Sequence, residues 1–274
     1  MKRTDLLDVT RNETGNQRWR DRRDSYRPAG ETIKPTEYEV APIADDGTAK
    51  AFVLGHHYSG SYPAARYRFG LYRRGERGEL VGVAVFSHPC SDRVLTNVFP
   101  GEALESAELG RFVLLDSVPG NGETWFLARC FEGLRREGLI GIVSFSDPVP
   151  RATSDGAVVF PGHIGTIYQA HNAIYLGRAT PRTLRLLPDG TVLSDRAVQK
   201  IRAKERGWRY AVELLERHGA DAPDDDLAGW LNLWSGRLTR RVRHPGNHKF
   251  AWSLHPTARR QLALSLPYPK KVPA

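Results

Sequence analysis

Cysteine and methionine are scarce: the 274 residues include 2 Cys and 1 Met. Two thiols, Cys90 and Cys130, make no disulfide framework, so the fold must rest on a buried core, and a reducing cytoplasm is the expected address. Long apolar runs are also missing. The longest, such as Val81 to Phe86, fall far short of the roughly 18 residues a membrane span needs, so no membrane partner is expected. The start, Met1-Lys2-Arg3 followed by Asp5 and Asp8, has no apolar stretch of signal-peptide type. No nucleophile elbow, no phosphate loop ending in Gly-Lys-Ser/Thr and no His-Glu-x-x-His occurs, which removes the commonest hydrolase, nucleotidase and zinc-protease signatures.

Acidic residues are outnumbered: 31 Asp and Glu face 40 Lys and Arg, a formal net charge of +9. The excess is segregated. Residues 1–30 hold 8 basic and 5 acidic side chains, residues 31–190 hold 16 and 18, and residues 191–274 hold 16 and 8. A near-neutral middle between basic ends fits a catalytic body with appended surfaces for a polyanion, nucleic acid being the usual one. The alternative is a generally basic soluble protein.

Periodicity divides the chain into three segments. Residues 1–34 are polar and Arg-rich, without helical or strand periodicity, and read as a flexible basic arm. Residues 35–190 read as a mixed α/β core. A strand over 37–43 and a helix over 48–58 come first, followed by a hairpin built from Tyr67, Phe69 and Leu71 and the apolar run 80–86. A strand run over 111–116 leads through Gly120-Asn121-Gly122 into a helix striped by Phe126, Leu127, Cys130, Phe131 and Leu134. A buried strand over 139–145, a short helix within 162–172 and strands near 173–177 and 183–187 complete the core. Residues 191–274 read as a basic helical insertion, a final strand near 250–254 and a Pro-rich surface tail. Ala197, Ile201, Trp208, Ala211 and Leu215 share one helix side, with Arg196, Lys200, Arg202 and Arg206 on the others. Gly207 is a candidate break in that helix.

Several residues carry chemistry, each with a plain structural alternative. Gly120-Asn121-Gly122, between strand and helix, presents backbone N–H groups that suit a pyrophosphate, or simply makes the turn. Asp147 ends a strand, where ligands gather in α/β sheets and a carboxylate can accept a proton, or it shapes the turn into Pro148. His57 and Tyr58 offer an imidazole that titrates near neutrality and a phenol, or are structural. Arg111 opens an apolar strand, where its guanidinium requires an anionic partner or a local ion pair. His244 and His248 are four apart, but Pro245-Gly246 between them argues against a helical metal site.

In this order and spacing, His57-Tyr58, Glu108-Leu109-Gly110-Arg111, Ser146-Asp147-Pro148 and Gly165-Thr166-Ile167-Tyr168-Gln169-Ala170 resemble the Mom family of phage DNA-modification proteins, over about residues 50–180. The resemblance implies an acetyltransferase-like, GNAT-related fold and a cytoplasmic transferase that carbamoylmethylates the N6 amine of adenine in double-stranded DNA, masking it from restriction enzymes. It also implies a catalytic set of His57, Tyr58, Arg111, Asp147 and Tyr168, with the target adenine flipped out of the duplex. An acyl-CoA-type or other glycyl or acyl donor would lie at Gly120, Asn121 and Gly122, and iron is a candidate metal at His57 and Tyr58. Of the acetyltransferase pyrophosphate signature Arg/Gln-x-x-Gly-x-Gly/Ala, only Gly120-x-Gly122 survives, which counts against acetyl-CoA. Arg18, Arg20, Arg22, Arg23, Arg196, Lys200, Arg202, Arg206, Arg241 and Arg243 are the expected DNA phosphate contacts. The rival readings are an acetyltransferase on a small amine or protein, an adenine-N6 methyltransferase suggested by Asp147-Pro148-Val149-Pro150, and a non-catalytic DNA-binding accessory protein.

Overall fold

The computed structural model describes residues 15–28, 30–75, 78–101, 103–262 and 264–270. They divide into two compact units. The first takes Met1–Asp147, His163–Gly177 and His248–Ala274, and the second takes Pro148–Gly162 and Arg178–Asn247.

Strand-forming runs come early in the first unit. A hairpin of β1 (Gly15–Arg20) and β2 (Arg23–Pro28) is followed by β3 (Tyr38–Pro42), helix α1 (Asp46–His56), β4 (Ala65–Arg73) and β5 (Glu79–Ser87). A short helix α2 (Arg93–Thr96), β6 (Ser106–Leu114), helix α3 (Gly122–Arg136) and β7 (Gly141–Ser146) come next. Strands β3 to β7 belong to a seven-stranded sheet of order β10-β13-β7-β6-β5-β4-β3, whose remaining members are β10 (Ile174–Arg178) and β13 (His248–Ser253). This is the mixed α/β sheet the sequence predicts. β3 through β6 are antiparallel neighbours, and β6 and β7 are parallel.

The sheet is buried on both faces, which is why β5 reads as a continuous apolar run rather than an alternation. Val81, Ala84 and Phe86 pack with Phe126, Leu127, Cys130 and Leu134 of α3 on one face. Val83 and Val85 point the other way, against Ala49 and Val53 of α1. β7 repeats the pattern: Ile142 joins the α3 side, while Val143 clusters with Leu95 of α2, with Phe99 just after it and with Ala258 of the helix Pro256–Gln261.

One departure in pairing makes room for a site. β6 pairs with β7 only from Ser106–Gly141 to Leu109–Ser144, then continues along β5 as far as Leu114, opposite Gly82. Past Ser144, β7 continues alongside β13. The two parallel strands therefore part company at Gly110, and the gap opens toward the short helix α4 (Thr166–Ala170).

The hairpin corrects the expectation of a flexible arm over residues 1–34; residues 1–14 lie outside the described residues. Arg18, Trp19 and Ser25 are buried, and Ser25 Oγ donates to Asp116 at 2.9 Å. Two strands of Arg-rich sequence form because their buried positions hold a paired charge and one tryptophan, a pattern that apolar alternation does not reveal.

The second unit contains β8 (Arg151–Ala152) paired with β9 (Val158–Phe160), and β11 (Arg182–Leu186) paired with β12 (Arg240–His244). Its helices are α5 (Asp195–Ala203), α6 (Arg209–Glu216) and α7 (Leu227–Leu238). Val198, Ile201, Val212, Leu215, Trp230 and Leu231 make a core of their own. Ser194 caps α5 by accepting from Ala197 N at 3.1 Å, and Asp226 caps α7 by accepting from Gly229 N at 2.9 Å. The helix expected across 194–218 is broken between α5 and α6, where Lys204 (φ 48°) and Gly207 (φ 81°) are left-handed.

The boundaries expected at 34/35 and 190/191 do not coincide with these units. β11 and the β8–β9 ribbon, assigned to the core from sequence, belong with the basic helices, while the hairpin belongs to the sheet unit. Long-range pairing such as Arg185 with Arg241 decides this, and no local pattern encodes it.

Candidate functional site

A cavity of about 330 Å³ lies in the first unit where β6 and β7 separate. Its walls are Gly110 to Leu114 of β6, Phe145 of β7, Gly165 to Tyr168 around the start of α4, and residues 16–19 of the hairpin. That volume is at the lower end of small-molecule pockets, which bury most of a ligand's surface.

Four of the five candidate catalytic residues, separated by up to 111 positions in the chain, line this one cavity: His57, Tyr58, Arg111 and Tyr168. His57 follows α1 and is buried. Its Nδ1 accepts from Ser59 N at 3.1 Å, which leaves the proton of a neutral ring on Nε2. Burial first, then the Arg111 cation and His163, hold this imidazole well below its ordinary pKa, so it is neutral at physiological pH. The Tyr58 ring stacks on His57 with centroids 4.3 Å apart and meets Trp19 at 4.4 Å. Its hydroxyl lies 3.4 Å from His163 Nε2.

Arg111 is held in place by its neighbours. Nε donates to Ser61 O at 2.9 Å, Nη2 to Ser61 Oγ at 2.7 Å and Nη1 to Gly110 O at 2.5 Å. Desolvation lowers its pKa, and Tyr58, Glu108 and Tyr168 act against that. Glu108, three positions before Arg111 on β6, has its pKa raised by burial, with Arg111 acting to lower it. Tyr168 is buried, its pKa raised by desolvation, and its ring meets Phe250 and Trp252 at centroid distances of 5.4 Å. Gly165 (φ 73°) starts α4, and a Cβ there would lie 2.8 Å from Phe250, so only glycine fits the turn that delivers Tyr168.

Asp147, one residue past β7, is not among the lining residues. Its carbonyl accepts from His163 N at 2.8 Å, and His163 does line the cavity. Gly120 and Asn121 are in the wall. Gly122 instead lets the start of α3 pack closely on the preceding loop, since a Cβ there would meet Val118 Cγ1 at 2.5 Å and Leu114 Cδ2 at the end of β6 at 3.3 Å.

Sequence reasoning missed Trp19, His163 and Glu123. A single tryptophan among arginines in a polar stretch was the available signal for the first; nothing local marks the others. Glu123 is 2% exposed and accepts from Arg18 Nε at 2.6 Å. Its Oε2 has no hydrogen-bond partner among the described residues. Arg18 also donates to the carbonyls of Leu115 at 2.8 Å, Val118 at 2.5 Å and Pro119 at 2.8 Å. It is therefore an internal residue, which corrects its expected role as a phosphate contact.

The other expected phosphate contacts differ in availability. Arg20, Arg22 and Arg23 are exposed, with Arg20 3.4 Å from Asp116. In the second unit Arg196 is forked onto Glu205 at 3.0 and 2.5 Å, and Lys200 lies over the Tyr210 ring at 5.3 Å. Arg202 and Arg206 are exposed. Arg241 and Arg243 are exposed on β12, opposite Arg185 and Thr183, so these four side chains share one face of the β11–β12 ribbon.

Neither implied small partner matches its expected residues. Among the described residues no group of three His, Cys, Asp or Glu side chains is arranged to hold a metal, and His57 Nδ1 is already bonded to Ser59. His57 and Tyr58 do not by themselves make an iron site. The Gly120 N–H that should meet a pyrophosphate donates to Glu31 Oε2 at 2.8 Å. His244 and His248, buried, are on separate strands: His244 Nδ1 accepts from Gly246 N, and His248 Nδ1 lies 2.8 Å from the Tyr175 hydroxyl.

Comparison with known proteins adds the family. No curated protein matches the chain. Among solved structures, it is similar to a tandem GNAT protein from the clavulanic acid biosynthesis pathway, without acetyl-CoA, at 11% identity and TM-score 0.42, over 80% of this chain and 99% of that one. It is also similar to a spermidine/spermine N-acetyltransferase from Vibrio cholerae in complex with manganese ions, at 8% identity and TM-score 0.35, over 82% and 97%. Likeness at that level carries no weight for function. The model of the Mom protein family, in contrast, matches residues 37–222, which take in four of the five candidate catalytic positions now seen around one cavity and Asp147 beside it. On that match, the chain belongs to the Mom protein family.

Proposed function

We propose that this protein is a DNA-modifying transferase that carbamoylmethylates the N6 amine of adenine, with its reaction centre in the cavity between β6 and β7. The observation that supports this most is the convergence of His57, Tyr58, Arg111 and Tyr168 on one small cavity in a chain of the Mom family. Adenine N6 is a weak nucleophile because its lone pair is delocalised into the ring, so the site must remove a proton as the new N–C bond forms and the bond between the transferred group and its carrier breaks, the carrier leaving with that electron pair. Asp147 is the proposed base, and His163, bonded to it through the main chain and facing Tyr58, is the neighbouring alternative. The fixed Arg111 guanidinium provides a positive field at the cavity wall, and the neutral His57 avoids adding a second cation beside it. A base buried in a duplex must be flipped to reach this cavity, at a cost of about a few kcal/mol. Exposed arginines, Arg241 and Arg243 of the second unit among them, would contact phosphates of the duplex.

Nucleoside mass spectrometry of plasmid DNA from expressing cells tests the reading. N6-carbamoylmethyladenosine is the expected product. Only unmodified adenosine refutes the assignment, and only N6-methyladenosine would favour the methyltransferase reading. Asp147→Asn should abolish the product while His163→Gln reduces it; the reverse order makes His163 the base. A non-catalytic accessory protein would bind DNA and leave every nucleoside mass unchanged.

A further inference from the structure

We infer that the chain supplies its own anion to the turn where an acetyltransferase-like protein would receive a pyrophosphate, and that the group donor is therefore a compact molecule without a nucleoside diphosphate. The inference rests on the proposed transferase reading for the word donor, but on separate observations for its content.

The turn Gly120-Asn121 before α3 is filled from the N-terminal side of the chain. Glu31 Oε2 accepts from Gly120 N at 2.8 Å, and Arg27 binds the same carboxylate through Nε at 3.0 Å and through Nη2. Asn16 Nδ2 donates to Gly120 O at 2.5 Å, and Asn121 Oδ1 accepts from Ile33 N at 2.6 Å. Space is closed as well as bonding. A Cβ added at Gly120 would lie 2.6 Å from Pro28 O, 2.9 Å from Asn16 Nδ2 and 3.3 Å from Glu31 Oε2. One turn further along, Arg18 is bonded to Glu123 and to three carbonyls of the same loop, so its positive charge is already matched by a carboxylate.

An incoming diphosphate would meet a fixed carboxylate where it needs an N–H, and to reach that N–H it would have to displace Glu31 from both Gly120 and Arg27. The β1–β2 hairpin would also have to leave, exposing Trp19 and separating the buried Arg18–Glu123 pair. What remains accessible is the 330 Å³ cavity, with an apolar wall of Phe112, Val113, Phe145 and Ile167. At the Glu123 end, one buried carboxylate oxygen is able to accept an N–H or ammonium group from a ligand.

Titration of acetyl-CoA, and separately of inorganic pyrophosphate, into the full-length protein tests this by calorimetry and by thermal melting. No saturable heat up to millimolar ligand and a melting temperature unmoved by either compound are expected. Saturable acetyl-CoA binding in the micromolar range that pyrophosphate competes away would overturn the inference. Glu31→Ala, or Glu31→Gln if the alanine variant does not fold, vacates the anion position. Pyrophosphate should then raise the melting temperature of the variant by a few degrees more than that of wild type, and equal responses would refute the internal-anion claim. The outcomes separate from those for function: an unmodified plasmid sinks the transferase reading whatever acetyl-CoA does, and a modified plasmid with tight acetyl-CoA binding sinks only this inference.

Discussion

Arg18 shows how one side chain changes meaning on burial. In sequence it is one cation among five between residues 18 and 27; in the fold it is 2% exposed and bonded to Glu123. A buried pair adds little net stability over an apolar replacement, but removing one partner strands the other. Arg18→Ala should therefore destabilise the protein by about 3–5 kcal/mol in urea unfolding. Arg18→Met paired with Glu123→Met should recover only the part due to the stranded carboxylate, since the carbonyls of Leu115, Val118 and Pro119 still lose their donor, whereas Arg23→Ala, at an exposed position, should change little.

His57 makes a second residue-scale prediction. Its folded pKa is depressed by burial and by Arg111, so the unfolded chain takes up a proton as pH falls below about 6.5 while the folded chain does not. Stability from this group is complete above that pH and is lost on acidification. His57→Gln should consequently show a smaller drop in melting temperature between pH 7.5 and 5.5 than wild type. An equal drop would mean that His57 is protonated in the fold. The identities of His57, Tyr58, Arg111 and Tyr168 as candidates were legible in the sequence through the family resemblance. Trp19, His163 and Glu123 were not, because their importance comes from contacts across more than a hundred positions of chain.

At the level of elements, the strongest periodic segments were readable. β5 and α3 came through because a strand covered on both faces must be apolar throughout and a helix lying on it must carry a stripe. The β1–β2 hairpin escaped because its buried positions hold Arg18 and Ser25 on one face and Trp19 on the other, and its polar satisfaction depends on Glu123 and Asp116. β6 was placed several residues late because Ser106 to Gly110 is not an apolar run, although that is where the parallel pairing to β7 occurs. Two substitutions probe elements directly. Ser194→Ala removes the cap of α5 and should cost about 1 kcal/mol by chemical denaturation. Gly165→Ala must place a Cβ at positive φ and against Phe250, so a cost of about 1–2 kcal/mol from the backbone alone is expected, together with reduced modification as Tyr168 shifts.

For the molecule as a whole, the charge asymmetry seen in the sequence acquires an address. The second unit holds 15 basic and 10 acidic residues within 85, and the exposed ribbon face carries Arg241 and Arg243 beside Arg185. If that face meets DNA, replacing Arg241 and Arg243 by Ala should reduce the slope of log affinity against log salt by about 2, since each phosphate contact contributes about 0.9. Arg196→Ala should change it less, because Glu205 already neutralises that guanidinium. Equal effects at the two places would disprove the distinction.

The sequence by itself determined where apolar surface must be buried, which segments become the central strands and α3, and in which stretches positive charge accumulates, because periodicity and composition are local. Only the tertiary structure decided which charges face water, which are paired inside, and whether the glycine turn before α3 is open to a ligand. Those outcomes depend on desolvation and on hydrogen bonds between residues some 90 to 105 positions apart, as between Glu31 and Gly120 or Arg18 and Glu123.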